Sequence, residues 1–183
     1  MTETDIINVH DLSFQPYLSA ADIQQKVREL SAALTEDYQD KKPLFIAILN
    51  GSFIFAADIT RACDFDSDIS FVKLSSYQGT GSTGKVSTLI GLDESVEGRD
   101  IIIIEDIVDT GNTLSHFLQQ LKEFKPASVA LVTLLIKREV FKNQFPVDYI
   151  GFEIPNKFVI GYGLDYNGRG RTFEGIYQLY EKA

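Results

Sequence analysis

Residues 101–114 read IIIIEDIVDTGNTL. The four consecutive isoleucines form a short, fully apolar run, the pattern of a strand buried on both faces of a sheet. The chain leaves them for Glu105, Asp106 and Asp109, and then for the turn Asp109-Thr110-Gly111-Asn112-Thr113. Such a turn, opening a helix, offers consecutive backbone N–H groups, hydroxyls and the positive end of the helix dipole, which together suit an anion. Local turn chemistry leaves a second option open. Asp109 or Thr113 could simply cap the helix, with Glu105-Asp106 in a solvated loop.

The same grammar repeats on either side. Residues 44–49 (LFIAIL) and 128–136 (SVALVTLLI) are further buried-strand runs, and residues 69–74 and 85–90 read as two more strands bracketing SSYQGTGSTG. Between them lie helical stretches at residues 19–39, 53–63 and 113–124. The first carries a capping box, Ser19 with Asp22, ahead of a stripe of Ile23, Val27, Leu30 and Leu34. Strand-helix alternation predicts an α/β fold with a mostly parallel central sheet flanked by helices. From residue 146 the pattern changes to short β-like pieces, YIGFEI, FVIGYGL and EGIYQLY. We expect one domain over residues 1–183, with a core at about 20–145 and a small β-rich cap formed by 146–183 and the N-terminal segment. Ligands of open α/β sheets bind outside the carboxyl ends of the strands. Asn50-Gly51-Ser52 and residues 105–113 fall at such ends.

Composition narrows the chemistry. With 17 basic against 26 acidic residues the formal charge is -9, which repels nucleic acid and makes a polyphosphate ligand depend on divalent cations and backbone N–H groups. One cysteine, Cys63, allows no internal disulfide, and two histidines, His10 and His116, suggest no zinc cluster; a metal here would be hard and oxygen-bound. No apolar run approaches the roughly 20 residues of a membrane span, and the start lacks a signal-like core, so we expect a cytoplasmic protein without a membrane partner. The Walker pattern G-x-x-x-x-G-K-[ST] does not occur.

Four apolar residues, Glu105-Asp106, two apolar residues and Asp109-Thr110-Gly111-Asn112-Thr113 closely resemble the 5-phosphoribosyl pyrophosphate (PRPP) signature of type I phosphoribosyltransferases. Beyond it, Leu49-Asn50-Gly51-Ser52, Ser76-Tyr77, LLIKR at 134–138 and IGFEIPNKFVIGYGLDYN at 150–167 are similar to segments of the hypoxanthine-guanine branch. That resemblance implies a purine salvage transferase acting on PRPP and a 6-oxopurine, with Mg2+ as cofactor and a homo-oligomer, dimer or tetramer, as the assembly. It implies that Glu105 and Asp106 hold the ribose hydroxyls and that residues 109–113 (Asp109, Thr110, Gly111, Asn112, Thr113) take the 5'-phosphate. Asn50, Gly51, Ser52, Ser76, Tyr77 and Arg171 would contact pyrophosphate, with residues 75–84 as a mobile lid over it. Ile107, Lys137, Phe158, Val159 and Asp165 would hold the purine. Asp165, with Glu105 and Asp106, would ligate magnesium, and Asp109 would exchange a proton with the base. Asn50 and Asn112 depart from relatives that carry a basic residue there. Two other readings stay open: a PRPP-sensing regulator that binds nucleic acid, and the same chemistry on xanthine or another base.

Overall fold

The computed structural model describes residues 6–75, 87–90, 95–142 and 144–181. Helix α1 (Ala20–Tyr38) starts at Ser19, whose hydroxyl accepts from the Asp22 N–H while the Asp22 carboxylate accepts from the Ser19 N–H. One stripe of it, Ile23, Val27, Leu30, Leu34 and Tyr38, is buried. Strands β3 (Leu44–Leu49), β4 (Asp68–Ser75), β6 (Asp100–Val108), β7 (Ser128–Ile136) and β8 (Tyr149–Glu153) run parallel, and β5 (Ser87–Ile90) closes the β4 edge antiparallel, in the order β5-β4-β3-β6-β7-β8.

Alternation along the strands builds two cores. Phe45, Ala47, Ile102 and Ile104 pack on one face against α1 and α2 (Phe53–Ala62), whereas Leu44, Ile46, Ile101 and Ile103 pack on the other against Leu114, Phe117 and Leu121 of α3 (Asn112–Glu123). The isoleucine run is therefore buried on both sides, each residue 0% exposed. Among the described residues no helix is long and apolar enough to cross a membrane.

A second, antiparallel sheet has the order β1-β2-β10-β9, formed by β1 (Ile7–Val9), β2 (Leu12–Leu18), β9 (Val159–Ile160) and β10 (Ile176–Leu179). It joins the N-terminal segment to the tail around Val9, Phe14 and Ile160. A hydrogen bond of 2.6 Å from the Tyr162 hydroxyl to Asp58 on α2 ties this cap to the core.

Two boundaries differ from the sequence reading. The YIGFE piece is not part of the cap. It lies in the large sheet beside β7, pairing Thr133 with Ile150 and Leu135 with Phe152, and Arg138 reinforces it with a 2.8 Å bond to Glu153. Strand β6 also does not stop at Ile104 but continues through both carboxylates, with Glu105 paired to Thr133 and Ile107 to Leu135.

Because both halves of the capping box are formed at the start of the longest helix, Ser19→Ala is expected to cost about 1 kcal/mol. A urea titration reads this as a lower midpoint with an unchanged slope.

Candidate active site

The carboxyl ends of β3, β6 and β7 converge, and each delivers a polar group as its strand gives out. After β3 the chain turns through Asn50 and Gly51, with a cis peptide between Leu49 and Asn50. A Cβ on Gly51 would sit 1.6 Å from the Asp106 Oδ2, so only glycine lets this loop lie against that carboxylate. Gly163 of the cap presses on the same loop, its missing Cβ position 2.0 Å from the Gly51 carbonyl oxygen. The Ser52 side chain is turned inward: fully buried, its hydroxyl donates to the Ile48 carbonyl at 2.6 Å, which takes it away from the cleft.

Asn50, Gly51, Asp106, Ile107, Asp109 and Lys137 line one side of a cleft of about 300 Å3. Phe158, Val159, Leu164, Asp165 and Arg171 close it from the cap. The Phe158 ring is 40% exposed, and its back rests on Phe14 and on the edge of Tyr166, with centroids 6.1 and 5.7 Å away. Lys137, at the end of β7, is buried up to its ammonium, which bonds Asp109 Oδ2 at 2.9 Å. Asp165 is held on both oxygens, by Arg171 at 2.7 Å and by the Gly168 N–H at 2.6 Å, and Arg171 also donates to the Gly163 carbonyl.

A second recess of about 170 Å3 adjoins it, lined by Glu105, Ile107 and residues 108–114. Here Gly111 takes φ +78°, a left-handed conformation that a side chain would strain, and caps α3 without any side-chain bond. Neither Asp109 nor Thr113 caps the helix. The Asn112 N–H reaches the Thr110 hydroxyl at 3.5 Å, and the other N–H groups of the first turn are available to a ligand.

Glu105 and Asp106 carry the most unusual electrostatics. Burial pushes the Glu105 carboxyl well above its ordinary range, and neighbouring Asp106 adds to the effect. Its Oε2 is buried with no hydrogen-bond partner among the described residues. Asp106 is pushed up to about 6, chiefly by burial, although bonds from backbone N–H groups and the nearby Arg171 oppose the rise. A carboxylate pair kept short of partners suits a ligand that brings its own hydroxyls or cation.

Asn50, Gly51, Glu105, Asp106, Ile107, Asp109, Thr110, Gly111, Asn112, Thr113, Lys137, Phe158, Val159, Asp165 and Arg171 thus line two adjoining recesses. Ser76 and Tyr77, and most of the expected lid, lie outside the described residues. Among the described residues no three acidic, histidine or cysteine side chains form a ready-made metal cage. Leu164 and the segment carrying Phe141, Gln144 and Phe145 escaped the sequence reading. Two phenylalanines four apart, where no helix follows, were the available signal.

The profile described as "Phosphoribosyl transferase domain" matches residues 16–167. The chain belongs to the phosphoribosyltransferase family. It is 45% identical over 168 residues to the hypoxanthine-guanine phosphoribosyltransferase of Bacillus subtilis, covering 91% of this chain and 93% of that one. It is 39% identical over 185 residues to the hypoxanthine-guanine-xanthine phosphoribosyltransferase of Tritrichomonas foetus, covering 100% and 99%. A crystal structure of a hypoxanthine phosphoribosyltransferase from Staphylococcus aureus superposes with a TM-score of 0.86 at 39% identity, over 97% of this chain and 93% of that one. As in this family at large, the fold is a parallel sheet with flanking helices and a separate small cap.

The raised carboxyls fix a pH dependence. A folded-state value above the unfolded one gives stability that is complete below the unfolded value and is lost as pH rises through the folded one, here about 6 for Asp106 and well above the ordinary carboxyl range for Glu105. Glu105→Gln removes part of that loss. The ligand-free variant is expected to melt above the parent at about pH 8, with the gap closing towards about pH 5, while PRPP affinity falls about tenfold or more. Calorimetry across this pH range decides it; equal melting temperatures at about pH 8 would contradict the burial argument.

Proposed function

We propose that this phosphoribosyltransferase is a purine salvage enzyme. It transfers the 5-phosphoribosyl group of PRPP to a nitrogen of hypoxanthine or guanine, giving IMP or GMP and pyrophosphate. The observation that carries this reading is the Lys137–Asp109 pair at 2.9 Å, set between an aromatic face, Phe158, and the buried carboxylates of β6, of which Glu105 Oε2 has no partner among the described residues.

The sugar passes through a state of oxocarbenium character, as in glycoside hydrolysis, so positive charge develops beside the ribose. Glu105 and Asp106 accept hydrogen bonds from the two ribose hydroxyls, which favours their charged forms and braces the ring where charge appears. Residues 109–113 take the 5'-phosphate on the N–H groups of the α3 start. The purine slides between Phe158 and Ile107, with Val159 at its edge. Lys137, which can only donate, satisfies a 6-oxo acceptor and leaves a 6-amino group facing another donor. Asp109, held in place by Lys137, exchanges a proton with the purine N7. Ser76 and Tyr77 cover the pyrophosphate and keep water from the activated sugar.

Charge arithmetic supports magnesium. The larger cleft sets Asp106, Asp109 and Asp165 against Lys137 and Arg171, and both cations are already paired. A tetra-anionic donor cannot be neutralised from that set. Mg2+ fits a donor set of carboxylates, phosphate oxygens and water, with Asp165, Glu105 and Asp106 as the protein's candidate ligands. When bound it neutralises pyrophosphate and eases its departure. Phe53, Ile69 and Phe71 are about 40% exposed on or near the α2 side of the sheet, and this apolar surface supports a homo-oligomer, dimer or tetramer. We place the enzyme in the cytoplasm, where its substrates are.

The test is an assay of purified protein with PRPP and magnesium, offering hypoxanthine, guanine, xanthine and adenine in turn. Nucleotide is expected from hypoxanthine or guanine and little from adenine; an adenine rate equal to theirs contradicts the role of Lys137. Asp109→Asn is expected to lower kcat about a hundredfold or more with a small change in the KM for PRPP. Equal losses in both parameters would reduce Asp109 to a binding group.

A further inference from the structure

We infer that Gln144 is a positioning residue for the 5'-phosphate: it sets the direction of two neutral donors in the cup, the Asn112 side-chain amide and the Gly111 N–H. The inference rests on the reading of residues 109–113 as the phosphate cup. Gln144 belongs to the irregular connection between β7 and β8, and it reaches the cup from outside. Its Nε2 donates to Asn112 Oδ1 at 3.0 Å and to the Thr110 carbonyl at 3.3 Å. An amide nitrogen has two hydrogens, so both are committed to this one turn.

Each bond orients a donor by holding the acceptor to which it is rigidly joined. The Asn112 side chain is planar, with one acceptor and one donor end. With Oδ1 turned to Gln144, the NH2 end is left for the recess that Asn112 lines, and no acceptor among the described residues takes it. In a trans peptide the C=O and the following N–H point in opposite directions. Holding the Thr110 carbonyl on the Gln144 side therefore directs the Gly111 N–H away from Gln144, which is the direction an anion in the cup requires.

The flanking residues supply the rigidity. A Cβ on Gly111 would stand 2.8 Å from Phe141 Cε2 and 3.1 Å from Phe145 Cζ, so the bare glycine lies directly on these two rings. The rings support each other, with centroids 5.0 Å apart. Phe141 and Phe145 fix the height of the turn, and Gln144 between them fixes the rotation of its peptide and amide. Asn112 and Gln144 are both exposed, so their replacement leaves the two cores intact.

The experiment compares the parent with Gln144→Ala, Gln144→Glu, Asn112→Ala and the double variant Gln144→Ala/Asn112→Ala, using steady-state kinetics and inhibition by IMP and by inosine, which lacks the phosphate. Gln144→Ala is expected to raise the KM for PRPP and the inhibition constant of IMP about five- to tenfold, as for loss of one or two oriented hydrogen bonds, with kcat, the KM for hypoxanthine and inosine inhibition unchanged. Gln144→Glu turns the donor end of Asn112 towards itself and adds a negative charge, so its loss is larger, about thirtyfold, and grows at low salt. In the Asn112→Ala background the effect of Gln144→Ala should shrink to the part carried by the Thr110 carbonyl. Unchanged IMP inhibition in Gln144→Ala, or equal losses for IMP and inosine, overturns the inference while leaving the proposed function standing. A parent enzyme that binds inosine as tightly as IMP overturns the phosphate cup itself.

Discussion

Two carboxylates held without adequate partners in the last pairs of a parallel ladder are the constraint around which this site is built. Strand β6 does not release Glu105 and Asp106 into water, because its hydrogen bonds to β7 run on to Val108. The β3 loop then lies directly on Asp106 through Gly51, and the cap lies on the β3 loop through Gly163. Three separate backbones thus close around acidic groups that would be better solvated elsewhere. Burial opposes the charged form of both, and their carboxyls are raised accordingly, Asp106 to about 6. On the proposed reading, ligand hydroxyls and a cation would relieve the burial cost when substrate binds, which would turn the burial into selectivity for a polyhydroxylated, cation-bearing ligand.

The two adjoining recesses divide the work by chemical type. The smaller one, at the start of α3, offers backbone and amide donors with no cation of its own among its lining residues, a set suited to an anion held through dipoles. The larger one carries an aromatic face, Phe158, together with paired charges, Lys137 with Asp109 and Arg171 with Asp165. Ile107 and Asp109 belong to both linings, which places the junction where a sugar would connect a phosphate to a base. The β7–β8 connection and the cap each brace one recess from behind, through Phe141 and Phe145 in one case and Tyr166 and Phe14 in the other.

Where local chemistry alone decides an element, the sequence was sufficient. Ser19 and Asp22 fixed the start of α1, and LFIAIL and IIII became strands buried on both faces, because these outcomes depend on near neighbours and on apolar content. Pairing partners were harder to read. YIGFE resembles the other short pieces of the tail, and a parallel neighbour of β7 is normally reached through a helix. Among the described residues between Lys137 and Asp148 the crossover contains no helix and is held instead by the Lys137 turn, the Phe141–Phe145 contact and Asp148, which accepts from the Leu131 N–H at 2.8 Å. Glu105 and Asp106 looked like the start of a loop because acidic residues seldom continue a strand. Thr133 and Leu135 on β7 supply ladder partners whose positions no local pattern reveals. The cap depends on β2 pairing with β10 across nearly the whole chain, and its residues can be placed only once the two ends are together.

Base selection follows from the same logic of unfilled valences. Lys137 reaches the cleft from a buried strand end, so its ammonium has little freedom to swing away from a poorly matched ligand. One of its three donors is fixed on Asp109, and the remaining two need acceptors. A 6-oxo group supplies one. A 6-amino group supplies none and presents its own hydrogens to a cation, which leaves a desolvated donor unsatisfied on both sides. Such a mismatch costs far more than a missing favourable contact gains, and for that reason sites built around a hydrogen bond reject the wrong polar group more strongly than apolar pockets reject the wrong shape. On the proposed reading, discrimination against adenine would therefore reside in the fixed geometry of one ion pair at the end of β7, while the aromatic face of Phe158, which any purine can cover, would add affinity without preference.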